Sequence, residues 1–599
     1  MKNKIKLKIV IGIISLTCFY AFTSGYIQNS AKEKLSDKLL EKIDRIDFQE
    51  NVLVWVQFTD KGDNVDFYIN NPQLYLTDRA IHRRIIKSEN ENLVNETDVP
   101  VNYEYIDDLQ KNGFEIKNKS KWFNSVSLKL SKSEIYEIAR KEYVRKIDLV
   151  RTFKSYDTGK IQFQDKSEAG GNPDFNYSTQ FNYGASYLQN QMINVPVCHD
   201  SGYFGQDVLI ACFDSGFDNL EHPTFDSVMS RGVRTYDFVN GDTIVANVPG
   251  HMGNGSHGTR VLSLIVGYTP GELISPAFRS KVILAKTENT ESETPIEEDN
   301  WIAAAEWADS LGADIISSSL GYLDMDPGSP WSYDWTWMSG DSCLITKGAN
   351  IAAQNGILVV NSAGNNGYNE FRNTLLAPAD GFKVLTVGAL NTLGERAGYS
   401  SVGPTVDGRI KPDIMAMGSS NVTAQSGSGN TGFTSIGSGT SFACPMVSGV
   451  AALILSANPN LNPTQLMQII RASGNNTANP DRLVGWGTLN AWTAIQMALN
   501  QSSIEPINSE IPDGFQLYQN FPNPFNPVTN ITFDVPVNTF VTLSVFDPAG
   551  RQVAELINLY LRAGSYIVPF EADDLSSGVY FYRLSTADYS FVKAMVLVK

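Results

Sequence analysis

Ser441 stands in the run Gly437-Ser438-Gly439-Thr440-Ser441-Phe442-Ala443-Cys444-Pro445-Met446, which opens a stretch of small and apolar residues with helical character. Serine is a weak nucleophile until a base takes its proton, and the base must be held in one tautomer by an acid. Asp214 and His257, earlier in the chain, supply those two residue types. Together the three are what attack on a peptide carbonyl requires. Small residues before Ser441 let the backbone turn tightly and a substrate carbonyl come close. Pro445 is expected in the first turn of the helix, where its missing N–H would have no partner anyway. Ser441 then lies at a helix N-terminus, where main-chain N–H groups and the helix dipole favour the charge of an oxyanion.

The chain holds five histidines, so the base can be sought by elimination. His82 falls on a helix rich in charge, and His199 lies upstream of the strand that bears Asp214. His222 precedes Pro223, where fixing a turn is its expected role, and His251 sits in a Gly-rich loop. His257 begins His257-Gly258-Thr259-Arg260-Val261 and enters an apolar helix.

The elements that must position these residues can be read from the apolar pattern. Val208–Phe213, Lys281–Lys286, Asp314–Ser319, Gly356–Val360 and Val384–Val387 are apolar runs of strand length. Thr259–Val266, Trp301–Leu311 and Lys347–Gln354 read as helices between them. Near-continuous apolar strands alternating with helices predict an α/β domain, a parallel sheet covered on both faces, over residues 175–500. Ligands of such sheets bind outside the carboxyl ends of the strands. Asp214, the segment Ser319-Leu320-Gly321 and Asn365 all fall at or just past predicted strand ends.

Residues 48–150 form an earlier unit. Asn51–Phe58, Trp122–Leu130 and Tyr143–Val150 read as strands, Asp78–Ser88 as a helix, and Ser131 as the cap of a helix running to about Arg140. This pattern predicts a small α/β sandwich. Residues 151–174 are polar and read as a linker, as do residues 501–512. Residues 513–599 read as all-β, with strands at Thr529–Val535, Phe540–Phe546, Gly564–Phe570 and Gly578–Leu584. That unit has no histidine and reads as an address or attachment module.

A chain of 599 residues exceeds one ordinary core, so several domains are expected. The net charge of −17 argues against a nucleic-acid partner, which would call for a basic face. Lys2, Lys4, Lys6 and Lys8 precede an apolar stretch from Ile9 to Phe22, so residues 1–25 read as a secretory signal peptide. Beyond it only Cys198, Cys212, Cys343 and Cys444 remain, too few for a disulfide framework. Cys212 and Cys444 are expected to be buried thiols; a Cys198–Cys343 bridge is left open.

Three segments, Ile210-Ala211-Cys212-Phe213-Asp214-Ser215-Gly216, His257-Gly258-Thr259 and Gly439-Thr440-Ser441-Phe442-Ala443-Cys444-Pro445, resemble the signature segments of the subtilisin-like serine proteases, in that family's order. The resemblance implies that Ser441 attacks, that His257 takes and returns the proton, and that Asp214 orients the imidazole. It also implies that Asn365, in Ser362-Ala363-Gly364-Asn365-Asn366-Gly367, donates to the oxyanion beside the Ser441 N–H. Ser319, Leu320 and Gly321 match the family's substrate-lining strand edge, where an extended polypeptide would pair through its backbone. No cofactor is implied for the chemistry. Structural calcium is frequent in the family, but no ligand loop is identifiable and no metal ligand is assigned. Residues 322–345, rich in aromatic and Asp residues, are expected to cover the sheet edge. The alternative use of Asp324, Asp326 and Asp334 is to bind a cation.

The unit 48–150 is similar, more loosely, to the family's inhibitory propeptide, which makes the chain's own N-terminal segment an expected partner. Cleavage is expected within residues 150–185. The run Tyr518-Gln519-Asn520-Phe521-Pro522-Asn523-Pro524-Phe525-Asn526-Pro527, with Gly550-Arg551, Ala563-Gly564 and Gly578-Val579-Tyr580, resembles the immunoglobulin-like sorting domain of type IX secretion cargo. It implies export by that machinery, with the product released or attached at the outer cell surface. The expected function is thus a secreted serine endopeptidase. The competing readings are a catalytically silent surface adhesin on the same fold, a thiol protease using Cys444, and a zinc peptidase. No two histidines stand at metal-ligand spacing on one helix, which opposes the last.

Overall fold

A computed structural model describes residues 31–45, 50–90, 92–150, 179–290, 296–323, 333–501, 511–537, 539–561, 563–586 and 589–599. The signal segment 1–25, the linker 151–174, most of 501–512, and Asp324 and Asp326 lie outside the described residues.

The N-terminal domain contains α1 (Asp37–Arg45), β1 (Val52–Phe58), α2 (Asp78–Lys87), α3 (Tyr103–Lys111), β2 (Ile116–Ser120), β3 (Ser125–Leu130), α4 (Lys132–Ala139) and β4 (Val144–Leu149). Its sheet has the order β2-β3-β1-β4 and is antiparallel throughout. Ser131 caps α4 as the sequence predicts, in a capping box with Glu134. Strand β1, Val-Leu-Val-Trp-Val-Gln-Phe, is a near-continuous apolar run with buried residues on both faces. Val54 and Val56 pack on α1, α3 and α4, whereas Trp55 on the other face joins the core of the next domain.

In that next domain, β5 (Leu209–Asp214), β6 (Arg234–Asp237), β7 (Lys281–Lys286), β8 (Ile315–Ser318), β9 (Leu358–Ser362), β10 (Val384–Leu390) and β11 (Ile414–Met417) make a seven-stranded parallel sheet, ordered β11-β10-β9-β8-β5-β7-β6. Helices α5 (His257–Val266) and α8 (Thr440–Ala457) lie against one face; α6 (Ile296–Leu311) and α7 (Leu344–Gln354) cover the other. Burial on both faces explains why the strands read as unbroken apolar runs. α8 is long and apolar enough to cross a membrane by length and composition, but 89% of it is buried inside the protein. It is the core helix.

α8 starts at Thr440, so Pro445 sits in the second turn and not in the first as the sequence reading expects. The missing N–H therefore deprives the Ser441 carbonyl of its helical partner. The Ser319 hydroxyl donates to that carbonyl instead, at 2.9 Å.

The C-terminal domain pairs a three-stranded sheet, Gln516–Leu517, Val528–Val535 and Gly564–Glu571, with a four-stranded one built from Thr539–Phe546, Gln552–Leu561, Gly578–Ser585 and Ser590–Leu597. Both are antiparallel and share one apolar core that includes Phe533, Val545, Tyr566 and Tyr582.

Candidate active site

Asp214 is the last residue of β5, in the interior of the sheet, and is fully buried. Its carboxylate accepts from Ser215 N at 2.8 Å and lies 2.8 and 3.0 Å, through its two oxygens, from Nδ1 of His257. His257 is the first residue of α5. The approach depends on Gly258: a Cβ there would come within 2.4 Å of the Gly216 carbonyl and 2.9 Å of the Asp214 Cβ. Only glycine lets the start of α5 sit this close to the end of β5.

Ser441, second residue of α8, comes to the same edge. The ring of its neighbour Phe442 lies 5.7 Å from the His257 ring, and the Arg260 guanidinium covers Phe442 at 4.7 Å. Arg260 also donates to the Thr423 hydroxyl and to the Ile436 carbonyl, tying the glycine-rich approach to Ser441 onto the helix that bears His257. A methyl group built on Gly439 would stand 2.9 Å from Ser441 Oγ and 3.3 Å from Asn365 Nδ2. The hydroxyl and the amide thus face one small volume that glycine keeps open.

Asn365 follows β9, and its orientation is fixed by chemistry. Its Oδ1 accepts from Thr440 N at 2.9 Å and from Thr440 Oγ1 at 3.1 Å. A main-chain N–H can only donate, so Oδ1 must be on that side and Nδ2 on the other. Nδ2 is buried and has no hydrogen-bond partner among the described residues.

Ser319, Leu320 and Gly321 continue from β8 at the same edge, although not all of their polar groups face outward. The Ser319 hydroxyl is committed to Ser441, and the Leu320 carbonyl accepts from Asn361 Nδ2 at 3.0 Å. The next residue, Tyr322, exchanges main-chain hydrogen bonds with Ala377. Asp334, in the stretch expected to cover the edge, caps the short helix Trp335–Trp337, and Tyr333 packs into the core beside α6.

The other candidates fall away from this cluster. Cys444 is buried with Sγ 3.5 Å from the Ser318 and Val360 carbonyls, and burial pushes its thiol up to about 12. Cys198, Cys212 and Cys343 are buried as well, and the Cys198–Cys343 bridge is not formed. His199 is buried between the Tyr183 hydroxyl (2.7 Å) and the Pro276 carbonyl (2.8 Å), and burial lowers it to about 4. His222 caps the turn Pro223–Phe225, as its place before proline predicts.

Asp237, Asp242 and His251 offer ligand atoms within 4.8 Å of one another. Lys286 already provides positive charge there, its ammonium 3.2 Å from Asp237, whose carboxylate also accepts from Val239 N and Asn240 N. No metal is assigned to it.

Sequence reasoning missed Thr440, Arg260 and Glu288. Glu288, two residues beyond β7, is fully buried and accepts from the Tyr322 hydroxyl. Burial raises its carboxyl to about 7. Its signal was the density of acidic residues between 288 and 299 ahead of an apolar helix.

Residues 205–487 match the family model described as the subtilase family. Residues 53–168 match a peptidase S8 propeptide domain of Bacteroidota, and residues 519–599 a secretion system C-terminal sorting domain. Among similar proteins, subtilisin amylosacchariticus of Bacillus subtilis subsp. amylosacchariticus is 30% identical over 327 residues, covering 53% of this chain and 72% of that protein. Subtilisin of Bacillus pumilus is 30% identical over 280 residues, 46% of this chain and 86% of that one. Among solved structures, a protease from Pseudoalteromonas arctica is 22% identical, covering 53% of this chain and all of that one, with a TM-score of 0.42.

Proposed function

The chain belongs to the subtilase family of serine endopeptidases, and from that premise we propose that Ser441, His257 and Asp214 cleave peptide bonds as nucleophile, base and orienting acid. The observation that carries this reading is the 2.8 Å contact of His257 Nδ1 with Asp214, at the edge where Ser441 Oγ and Asn365 Nδ2 flank Gly439. With Nδ1–H donated to Asp214, Nε2 is the nitrogen left to take the Ser441 proton. The buried carboxylate then stabilises the imidazolium, which returns the proton to the leaving amine.

Negative charge on the attacked carbonyl oxygen is met by Asn365 Nδ2–H and the Ser441 N–H, in the field of the α8 N-terminus. In this family such a side-chain donor is worth about 2.7–4 kcal/mol in the transition state. Ser319, Leu320 and Gly321 line the path of an extended polypeptide substrate.

In this reading residues 48–150 act as the chain's own inhibitor, residues 151–174 are a linker, the cut falls within residues 150–185, and residues 175–500 hold the peptidase. Residues 513–599, an immunoglobulin-like sandwich in this proposal, address the chain to the type IX machinery, in keeping with a secreted or surface-attached product. A silent adhesin would be expected to have lost one of Asp214, His257, Asn365 or Ser441, and all four are present.

The test is hydrolysis of an unstructured protein by the secreted product. Ser441→Ala should abolish it; hydrolysis that persists in that variant removes Ser441 from the mechanism.

A further inference from the structure

Helix α2 belongs to the N-terminal domain in sequence but lies against the peptidase domain. Arg79, Arg83 and Lys87 recur every fourth residue along one side, with Arg84 beside them. Arginine and lysine are rarely buried unless paired. Here Arg83 and Arg84 are wholly buried, and both pair with Asp309 at 2.6 Å. Lys87 pairs with Asp314 Oδ1 at 2.7 Å, and Arg79 pairs with the other oxygen of the same carboxylate at 2.5 Å. The flanking chain continues the contact. Thr77 N bonds the Ser310 carbonyl, Glu89 N bonds the Gln354 carbonyl, and Glu89 pairs with Lys383. Gly312 and Gly356 admit this segment closely, since a Cβ would meet Ala80 N at 2.7 Å and the Lys87 main chain at 3.0 Å.

Every one of these peptidase-domain partners precedes a strand: 309–314 lead into β8, 354–356 into β9, and Lys383 into β10. The arm therefore grips the amino-terminal edge of the parallel sheet, whereas Asp214, Ser319 and Asn365 sit at the carboxyl-terminal edge. All the described hydrogen bonds to the Asp309 carboxylate come from the N-terminal domain: Arg83, Arg84 and Lys121. Burial would push Asp309 up, but the charges of Arg84, Lys121 and Arg83 hold it well below the usual carboxylate range. Asp309 is built to be occupied by cations.

We propose that residues 76–90 are an anchoring arm, and that Asp309 and Asp314 form its docking surface, specific for a basic helix of the chain's own N-terminal domain. The arm keeps that domain bound after the connecting chain is cut, independently of anything that happens at the catalytic edge. It adds to the hold that Trp55 and the Ser120–Glu306 and Ser127–Asp299 hydrogen bonds provide over α6, so loss of the arm's ion pairs speeds release after the cut. This extends the propeptide reading of residues 48–150.

The test uses the full chain carrying Ser441→Ala and a recognition sequence for a site-specific protease inserted within residues 151–178. After cutting, departure of the N-terminal piece is timed by gel filtration at fixed salt. The two pieces should stay together, and Arg79→Ala with Lys87→Ala should speed release at least tenfold. Both side chains reach Asp314 and neither belongs to the core of their own domain. If the double variant does not fold, Arg79→Ala alone carries the test, because that side chain is 37% exposed and Lys87 still pairs with Asp314. Release at the unmutated rate, or immediate separation of the unmutated pieces, overturns the proposal. The cut is engineered, so either result leaves the propeptide reading to be judged separately by whether the Ser441 chain cuts itself.

Discussion

Ser319 donates its hydroxyl to the main-chain carbonyl of Ser441 at 2.9 Å, the carbonyl from which Pro445 withholds a helical N–H. The segment proposed to line the substrate path is thereby bonded to the residue proposed as nucleophile. Ser319→Ala leaves a buried acceptor unsatisfied and should destabilise the protein by about 1–3 kcal/mol. Pro445→Ala restores the N–H, so the loss on removing Ser319 should shrink in that background. Denaturant midpoints of the four proteins in a double-mutant cycle check this, and strict additivity would contradict it.

Burial holds the Cys444 thiol near 12. At pH 8 only roughly one molecule in ten thousand would carry the thiolate. Iodoacetamide should leave Cys444 unmodified in the native protein and label it after unfolding, as mass analysis of the peptide would show. Cys444→Ala should retain peptide hydrolysis.

His199, held between Tyr183 and Pro276, links stability to pH. Its folded value of about 4 lies below the ~6.5 of an exposed imidazole. As pH falls, the unfolded chain takes up this proton first. The contribution of His199 to stability is therefore complete above about 6.5 and is lost as pH falls from there toward about 4. Between pH 7.5 and pH 4.5 the unmutated protein should lose about 2 kcal/mol more than His199→Gln does, read from urea midpoints at both values. Equal losses would place the proton elsewhere.

In the proposed role Asn365 donates to an oxyanion that forms only in the transition state, and Asn365→Ala removes that donor. It should lower kcat by roughly a hundredfold to a thousandfold with little change in KM. A change confined to KM would move Asn365 to substrate binding.

The reach of the sequence varied with distance along the chain. Strands β5 and β7 to β10 were legible because both their faces are buried, which leaves no polar position to interrupt the run. β6, Arg-Thr-Tyr-Asp at the sheet's edge and half exposed, has no such run and was missed. So were α1 and α3, whose charged faces dilute a short apolar stripe, and β2, Ile-Lys-Asn-Lys-Ser. Among the candidate site residues, Ser441, His257 and Asp214 were singled out because the chemistry restricts residue type, and Asn365 through the resemblance of its segment to the family's. The help that Thr440 gives Asn365 was not, because any hydroxyl or N–H could have served. The basic stripe of α2 was visible only as charge, since Asp309 and Asp314 lie more than two hundred residues away and nothing local marks them as its partners.

The most direct measurement labels the hydroxyl proposed as nucleophile. The secreted protein is treated with a serine-directed phosphonate and the modified peptide is located by mass. We expect a single adduct on Ser441, absent from Ser441→Ala and retained by Cys444→Ala. An adduct elsewhere, or equal labelling of Ser441→Ala, would contradict the assignment of the nucleophile.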